Sequence, residues 1–137
     1  MIKGLNRESV GFLYCTPHAF HQGHSPTEII QAAGDRVEYV HLADAFDHTA
    51  SHGLRYITNP PGNPVRVHQH MEVGRGEVDY DEVFAALAAV GFDGVVSSCV
   101  FGFEEDANAI SERQRDAAVA LVEKHFPIGT AATLTRS

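Results

Sequence analysis

The stretch V-E-Y-V-H-L-A-D-A-F-D-H (residues 37–48) begins as a strand and ends as a polar loop. Valines and a tyrosine lead to His41, and then Asp44, Asp47 and His48 follow within seven residues. A buried parallel strand that ends in ionisable side chains is where an α/β protein usually places its chemistry. The stretch therefore predicts a strand of a parallel sheet with a functional site around His41.

Strand-like and helix-like segments alternate on both sides of this stretch. Strands are predicted at 9–15, 37–42 and 95–101, and residues 65–71 also alternate like a strand. We expect Thr16-Pro17-His18 to end the first strand and a loop to follow it. Helices are predicted after the capping patterns that begin at Ser25, Asp79 and Ser111. This order is typical of βα units in a parallel sheet with right-handed crossovers.

The composition narrows the class of protein. The chain has 137 residues, which predicts one domain over 1–137 with a long loop at 43–64 and a polar tail at 127–137. The net charge is −8 without a Lys/Arg cluster, so we expect neither a nucleic acid nor a membrane as partner. The N-terminus has no signal-peptide pattern, and the two cysteines fit a reducing compartment, which together predict a cytoplasmic protein. No nucleotide cofactor is expected.

The carboxyl ends of parallel strands meet at one edge of a sheet, and here that edge collects thiols and imidazoles. Cys15 and His18 end the first strand, His41 and Asp44 the second, and Cys99 the third. Side-chain alternation places the members of three pairs on a common face: Leu13 with Cys15, Tyr39 with His41, and Ser97 with Cys99. With the strands in sequence order the thiols lie about 10 Å apart, too far for a disulfide, although both can reach toward a shared ion.

Several segments resemble a known family. V-E-Y-V-H-L-A-D (37–44) and G-R-G-E-V-D-Y-D-E-V-F-A-A-L-A-A-V-G-F-D-G-V-V (74–96) resemble the C-terminal part of the sugar phosphate isomerase/epimerase family, the xylose-isomerase-like TIM barrels. R-Y-I-T-N-P-P-G (55–62), R-V-H-Q-H (66–70) and S-C-V-F-G-F-E-E-D-A (98–107) resemble its myo-inositol catabolism branch. The resemblance implies a partial TIM barrel, with three parallel βα units that correspond to the last strands of a (β/α)8 barrel.

The resemblance also implies a divalent metal and a small sugar or polyol substrate. Family members hold the ion at the strand ends with two Glu, one Asp and one His. It implies that His41 is the metal-binding histidine, that His18 contacts substrate, and that Arg66 is a further substrate contact. Cys15 stands where the family has the Asp, and Cys99 where it has a Glu. Hard ions such as magnesium and manganese prefer oxygen ligands, so the metal set Cys15, His41 and Cys99 favours zinc among the three ions considered.

Three functions follow as hypotheses. An isomerase or epimerase would polarise a ketose or inosose with the metal and move a proton with a base, for which Glu104 and Glu105 are the nearby carboxylates. A non-catalytic partial barrel would need a complementing N-terminal half or a homo-oligomer, because its sheet has open edges. A Cys/His zinc module is the third reading.

The remaining polar residues near the strand ends have alternative roles. His68 and His70 are either ligands or solvated loop residues. Asp44 is expected to orient His41 or to belong to the loop.

Overall fold

The computed structural model describes residues 4–46, 70–101 and 106–126. Within them the chain forms the strand β1 (Phe12–Cys15), the helices α1 (Thr16–His21) and α2 (Pro26–Ala33), a 3-10 turn (Gly34–Arg36) and the strand β2 (Val37–Leu42). The helix α3 (Tyr80–Ala89), the strand β3 (Val95–Ser98) and the helix α4 (Ala107–His125) follow. The alternation of strands and helices is the predicted α/β order.

The three strands form one parallel sheet with β2 in the middle. Cys15 in β1 is opposite His41 in β2, and His41 is opposite Ser97 in β3. Leu13, Tyr39 and Val95 form the row before it. The predicted order of strands is confirmed, and Leu13 shares a face with Cys15 and Tyr39 with His41 as predicted. Cys99 lies beyond the end of β3, so the predicted pairing of Ser97 with Cys99 on one strand face is not confirmed.

The helices cover the opposite face of the sheet and enclose the core. Tyr14, Val40 and Leu42 point from the strands into this core and are buried. They pack with residues of α2 and α3 that repeat at helical spacing, because one stripe of an amphipathic helix faces the sheet. The buried residues of α2 and α3 are Ile30, Val83, Phe84, Ala86 and Leu87.

The helix starts show how side chains satisfy the first free backbone N–H groups. Ser25 and Asp79 cap α2 and α3 as predicted, each accepting a hydrogen bond from the amide three residues later. Glu82 of α3 also reaches across to α2, where its carboxylate accepts hydrogen bonds from the hydroxyls of Ser25 and Thr27 at 3.1 and 2.8 Å. The caps therefore also bind neighbouring helices to each other.

Two predictions of local structure were wrong. Residues 16–21 are a helix and not a loop, because Pro17 lies in its first turn, where a fixed φ and a missing N–H cost nothing. The last helix begins at Ala107 with Asp106 as its cap, whereas Ser111 donates back to the Ala107 carbonyl inside the helix. Of the predicted strand 65–71, the described part forms one antiparallel bridge between Met71 and Asp44; the remainder lies outside the described residues.

Candidate functional site

The first turn of α1 is fixed to the end of β2 by a buried hydroxyl. The Thr16 side chain donates a hydrogen bond to the Ala43 carbonyl at 2.5 Å and accepts one from the Ala43 amide at 3.1 Å. Thr16 is fully buried, so both bonds are shielded from water. This pair sets the position of the His18 side chain, two residues further along α1, relative to the central strand.

Asp44 organises the segment that follows the 47–69 region. Its buried carboxylate accepts hydrogen bonds from the amides of Ala45, Gly74 and Val78 at 2.9, 2.9 and 3.1 Å. A side chain at Gly76 would collide with this carboxylate, since an added Cβ would lie 2.4 Å from an Asp44 oxygen. Asp44 therefore shapes the G-R-G turn, because its carboxylate accepts hydrogen bonds from the amides on both sides of that turn.

Helix α4 also binds the segment 70–78, through the side chains of Gln114 and Arg113. The buried Gln114 amide donates to the Leu42 carbonyl at 2.9 Å and accepts from the Val73 amide at 3.0 Å. Arg113 forms a bidentate ion pair with the buried Glu72, with N–O distances of 2.7 and 2.8 Å. Residues 70–78 are thus attached both to the end of β2 and to α4.

The candidate site lies at the carboxyl end of β1, next to the contacts made by Thr16, Asp44 and Gln114. One ligand atom each of Cys15, His18 and His70 lies within 4.8 Å of the other two. The Cys15 sulfur is 3.8 Å from His70 Nε2, and the rings of His18 and His70 meet edge to face with centroids 5.0 Å apart. Among the residues in the three described ranges, this is the one group of three such side chains close enough to share an ion.

His70 is the most enclosed member of the group. Its side chain belongs to a residue only 2% exposed, and its ring packs against Phe101 at a centroid distance of 4.8 Å. The Phe101 amide donates to the His70 carbonyl at 3.0 Å, so the backbone as well as the ring is fixed. His70 is therefore buried and not a solvated loop residue, and its role as a ligand stays a prediction.

Burial disfavours the thiolate forms of both cysteines. Burial raises the pKa of Cys15 to about 11, more than a backbone hydrogen bond at His18 lowers it, and the nearby Cys99 raises it further. Burial also raises the pKa of Cys99. Both cysteines are free. The raised pKa argues against Cys15 as a free catalytic nucleophile or base at neutral pH, because the thiolate is the reactive form. A bound ion would itself favour the thiolate.

The structure separates the predicted metal set. His41 is half-buried beside Cys15 in the sheet, and its ring meets Tyr39 edge to face at 5.6 Å. Neither His41 nor Cys99 belongs to the group of side chains within 4.8 Å. Their roles as ligands therefore stay predictions, whereas Cys15 is brought together with His18.

Four predicted residues lie outside the described residues: Arg66, His68, Glu104 and Glu105. The sequence did not predict that Thr16 and Gln114 form buried hydrogen bonds to the end of β2. The only sequence signal for Thr16 is its place at the end of a strand, and the Ser111-x-x-Gln114 pattern is typical of a helix cap. A buried polar side chain at the centre of a helix face would have been the signal for Gln114.

Comparisons with known proteins agree on the architecture. A family model described as a xylose isomerase-like TIM barrel matches residues 1–123. The solved structure of IolI protein with a bound zinc atom is 22% identical, with a TM-score of 0.68, over 93% of this chain and 42% of that one. L-ribulose 3-epimerase is 19% identical, with a TM-score of 0.60, over 84% and 37%.

A third structure, a xylose isomerase domain protein from Alicyclobacillus acidocaldarius, is 19% identical with a TM-score of 0.62 over 82% and 37%. This chain thus spans about two fifths of the length of these proteins. No curated protein gives a significant match. None of the helices in the described ranges is long and apolar enough to cross a membrane.

Proposed function

Because this chain belongs to the xylose isomerase-like TIM barrel family, we propose that it binds a sugar or an inositol-derived polyol at the carboxyl ends of β1, β2 and β3. The chain supplies one part of an isomerase- or epimerase-type barrel. The observation that supports this most strongly is the convergence of His18, His70 and Cys15 at one edge of the sheet.

The half-buried imidazole of His18 suits the recognition of a substrate hydroxyl group. A neutral imidazole offers one N–H donor and one acceptor nitrogen, and a hydroxyl is both donor and acceptor. His18 is half-buried and lies one turn beyond the end of β1. In this proposal His18 contacts the substrate, and Arg66 adds a charge-assisted contact when the substrate carries a phosphate.

Turnover needs groups beyond those at the described strand ends. Isomerisation requires a base that removes a proton from the carbon next to a carbonyl. The Cys15 thiol, with a pKa of about 11, is a poor base at neutral pH. A divalent ion, whether zinc, manganese or magnesium, would polarise the carbonyl and hydroxyl oxygens of the substrate when bound. We therefore expect this chain to bind a polyol and the completed barrel to convert it.

Titration calorimetry tests the binding step. The ligands are a ketohexose, a ketopentose phosphate, myo-inositol and an inosose, each titrated into the protein without added metal. We expect one of these classes to bind, and His18→Ala to weaken that binding at least about tenfold through the loss of a polar contact.

His24→Ala is the matched control, because His24 is an exposed histidine six residues further along the chain. It should bind as the parent does. The proposal fails if none of the ligands binds, or if the two histidine variants behave alike.

A second candidate function is the binding of another polypeptide to the exposed face of the sheet. Leu13, Tyr39 and Val95 form one row across the three strands and are 46%, 36% and 52% exposed. In a closed barrel this row faces the interior, where side chains pack in layers. We propose that the remaining strands of a barrel cover it, supplied by a complementing N-terminal half.

The molar mass in solution, alone and after co-expression with the first half of a related barrel, tests this candidate. A stable one-to-one complex with the half barrel is the expected result. A monodisperse monomer that unfolds cooperatively and ignores the half barrel would contradict it, and a homodimer would identify a second copy as the covering partner instead.

A further inference from the structure

We propose that Cys15, His18 and His70 form a three-ligand site for a thiophilic divalent ion, with zinc as the preferred metal. This set differs from Cys15, His41 and Cys99, the set implied by the family resemblance. The inference deepens the proposed function at the same strand ends, because His18 belongs to both. The cobalt charge-transfer band tests the metal site alone, and titration without added metal tests polyol binding alone.

The distances fit a small ion. Zinc–sulfur bonds of about 2.3 Å and zinc–nitrogen bonds of about 2.0 Å, arranged tetrahedrally, place a sulfur and a nitrogen ligand about 3.5 Å apart. The Cys15 sulfur and His70 Nε2 are 3.8 Å apart, and the His18 ligand atom lies within 4.8 Å of both. Small side-chain rotations are enough to close this group around one ion.

The backbone holds all three ligands without help from a metal. Cys15 is the last residue of β1 and is paired with His41 in the central strand. The Thr16 hydroxyl fixes the start of α1, and with it His18, to Ala43. The backbone that carries His70 is held by two contacts, since the Phe101 amide donates to the His70 carbonyl and Met71 pairs with Asp44. Such preorganisation lowers the entropic cost of binding.

The donor types select the metal. A thiolate and two imidazoles suit zinc and cobalt, whereas magnesium and manganese prefer carboxylate and water oxygens. Binding exchanges the Cys15 S–H bond for a sulfur–metal bond and releases one proton to solvent. Three protein ligands leave a fourth tetrahedral position for water or a substrate oxygen, as in sites that take part in chemistry.

The hard-ion set does not fit the side chains around this position. The place of the family's Asp is held by Cys15, and Cys99 holds the place of a Glu. The three ligand side chains within reach of one another include no carboxylate. The site therefore differs from the family's metal site in its ligands, which are a thiol and two imidazoles and not carboxylates.

Metal titration of the metal-free protein tests the proposal. Zinc affinity is measured by competition with a chromophoric chelator, and cobalt serves as the spectroscopic probe. We expect one equivalent of either ion, with a sulfur-to-cobalt charge-transfer band and tetrahedral d–d bands. Magnesium and manganese should not compete even in large excess.

Variants identify the ligands. Cys15→Ser, His18→Ala and His70→Ala should each weaken zinc binding by about two orders of magnitude or more, since even the loss of an outer hydrogen-bond partner costs 10- to 100-fold. Cys99→Ser and His41→Gln are the matched controls and should stay within about threefold of the parent. Circular dichroism establishes that each variant is folded.

Cys15→Asp adds a test in which metal binding is kept and only the preference for the metal changes. A carboxylate should abolish the charge-transfer band, retain a bound ion and admit manganese. The proposal is overturned if the folded parent binds no zinc, if Cys99→Ser or His41→Gln abolishes binding, or if Cys15→Ser binds as the parent does. A variant that unfolds leaves the decision to the charge-transfer band of the parent and its persistence in Cys99→Ser.

Discussion

At the scale of single residues, buried polar side chains do more to position the site than the candidate ligands themselves. Thr16, Asp44 and Gln114 are almost completely buried, and each forms hydrogen bonds to the backbone of a segment distant in the chain. An unsatisfied buried polar group costs roughly 1–3 kcal/mol, so these residues specify one arrangement of the strand ends. The site depends on their geometry before it depends on any metal.

Asp44→Asn tests this at one residue. Oδ1 can still accept from Ala45 and Val78, but the amide group would replace Oδ2 opposite the Gly74 N–H and place a donor against a donor. We expect a loss of about 2–3 kcal/mol in the free energy of unfolding, measured by urea denaturation.

Asp79→Asn is the matched control for that substitution. Asp79 accepts one backbone hydrogen bond at the start of α3, where Asn caps nearly as well as Asp. Its stability should therefore change little. Equal losses in the two variants would contradict the structural role given to Asp44.

The sequence predicted some of these residue roles and not others, for a physical reason. The strand positions of Cys15 and His41 depend on local alternation, so they could be predicted. The partners of Asp44 lie up to 34 residues away, and only the folded chain brings them together. The same holds for His70, whose ring neighbours His18 and Phe101 come from two other segments.

At the scale of elements, the helices attach to one another through side chains at their ends. Glu82 joins α3 to the start of α2, and Asp81 joins α3 to the end of α4. The Asp81 carboxylate accepts from Lys124 at 2.6 Å and lies 3.0 Å from His125 Nε2. The bounds of β2 and the caps of α2 and α3 followed from sequence because each is a local pattern. The cap of α4 did not, since Asp106 and Ser111 both have side chains suited to that role.

The Asp81 contact predicts a pH dependence. Hydrogen bonds from Lys124 and then His125 lower the pKa of Asp81 below its ordinary value of 3.8. A carboxyl whose pKa is lowered by folding stabilises the protein above its unfolded pKa, and this contribution is lost as the pH falls through the folded pKa. Asp81→Asn should therefore be slightly less stable than the parent at neutral pH, and the difference should vanish well below pH 3.8.

Urea denaturation at neutral pH and in acid measures the stability difference between Asp81→Asn and the parent. This difference should also shrink in high salt, because the ion pair of Asp81 and Lys124 is exposed. Asp116→Asn is the control, since Asp116 pairs only with its neighbour Arg115 within α4 among the described contacts. A difference for Asp81→Asn that persists in acid would contradict the assignment.

At the scale of the whole molecule, helices cover one face of the sheet, and in the described part of the chain the other face presents the exposed side chains of Leu13, Tyr39 and Val95. The parallel order β1-β2-β3 and the partial barrel could be predicted because alternating strands and helices permit few topologies. The contacts of the second face could not be predicted in this way, because local alternation says nothing about what lies against it.

Tyr39→Lys tests whether that face is an interface. A charge at the centre of the exposed row should prevent the complex with the half barrel, because burying an unpaired charge is costly. Val119→Lys is the matched control, since Val119 is 48% exposed on α4, away from the sheet. Size-exclusion chromatography with light scattering measures the outcome, and loss of the complex in both variants would contradict a specific role for the sheet face.

The most direct test of the central claim, a preformed Cys/His site at the end of β1, is zinc-edge X-ray absorption of the protein with one equivalent of zinc. Our structure predicts one sulfur at about 2.3 Å and nitrogen or oxygen neighbours at about 2.0 Å, with the outer-shell scattering of two imidazoles. A shell with two sulfurs would instead indicate that Cys99 joins Cys15 on the ion. Either that result or a shell of oxygen atoms alone would contradict the site formed by Cys15, His18 and His70.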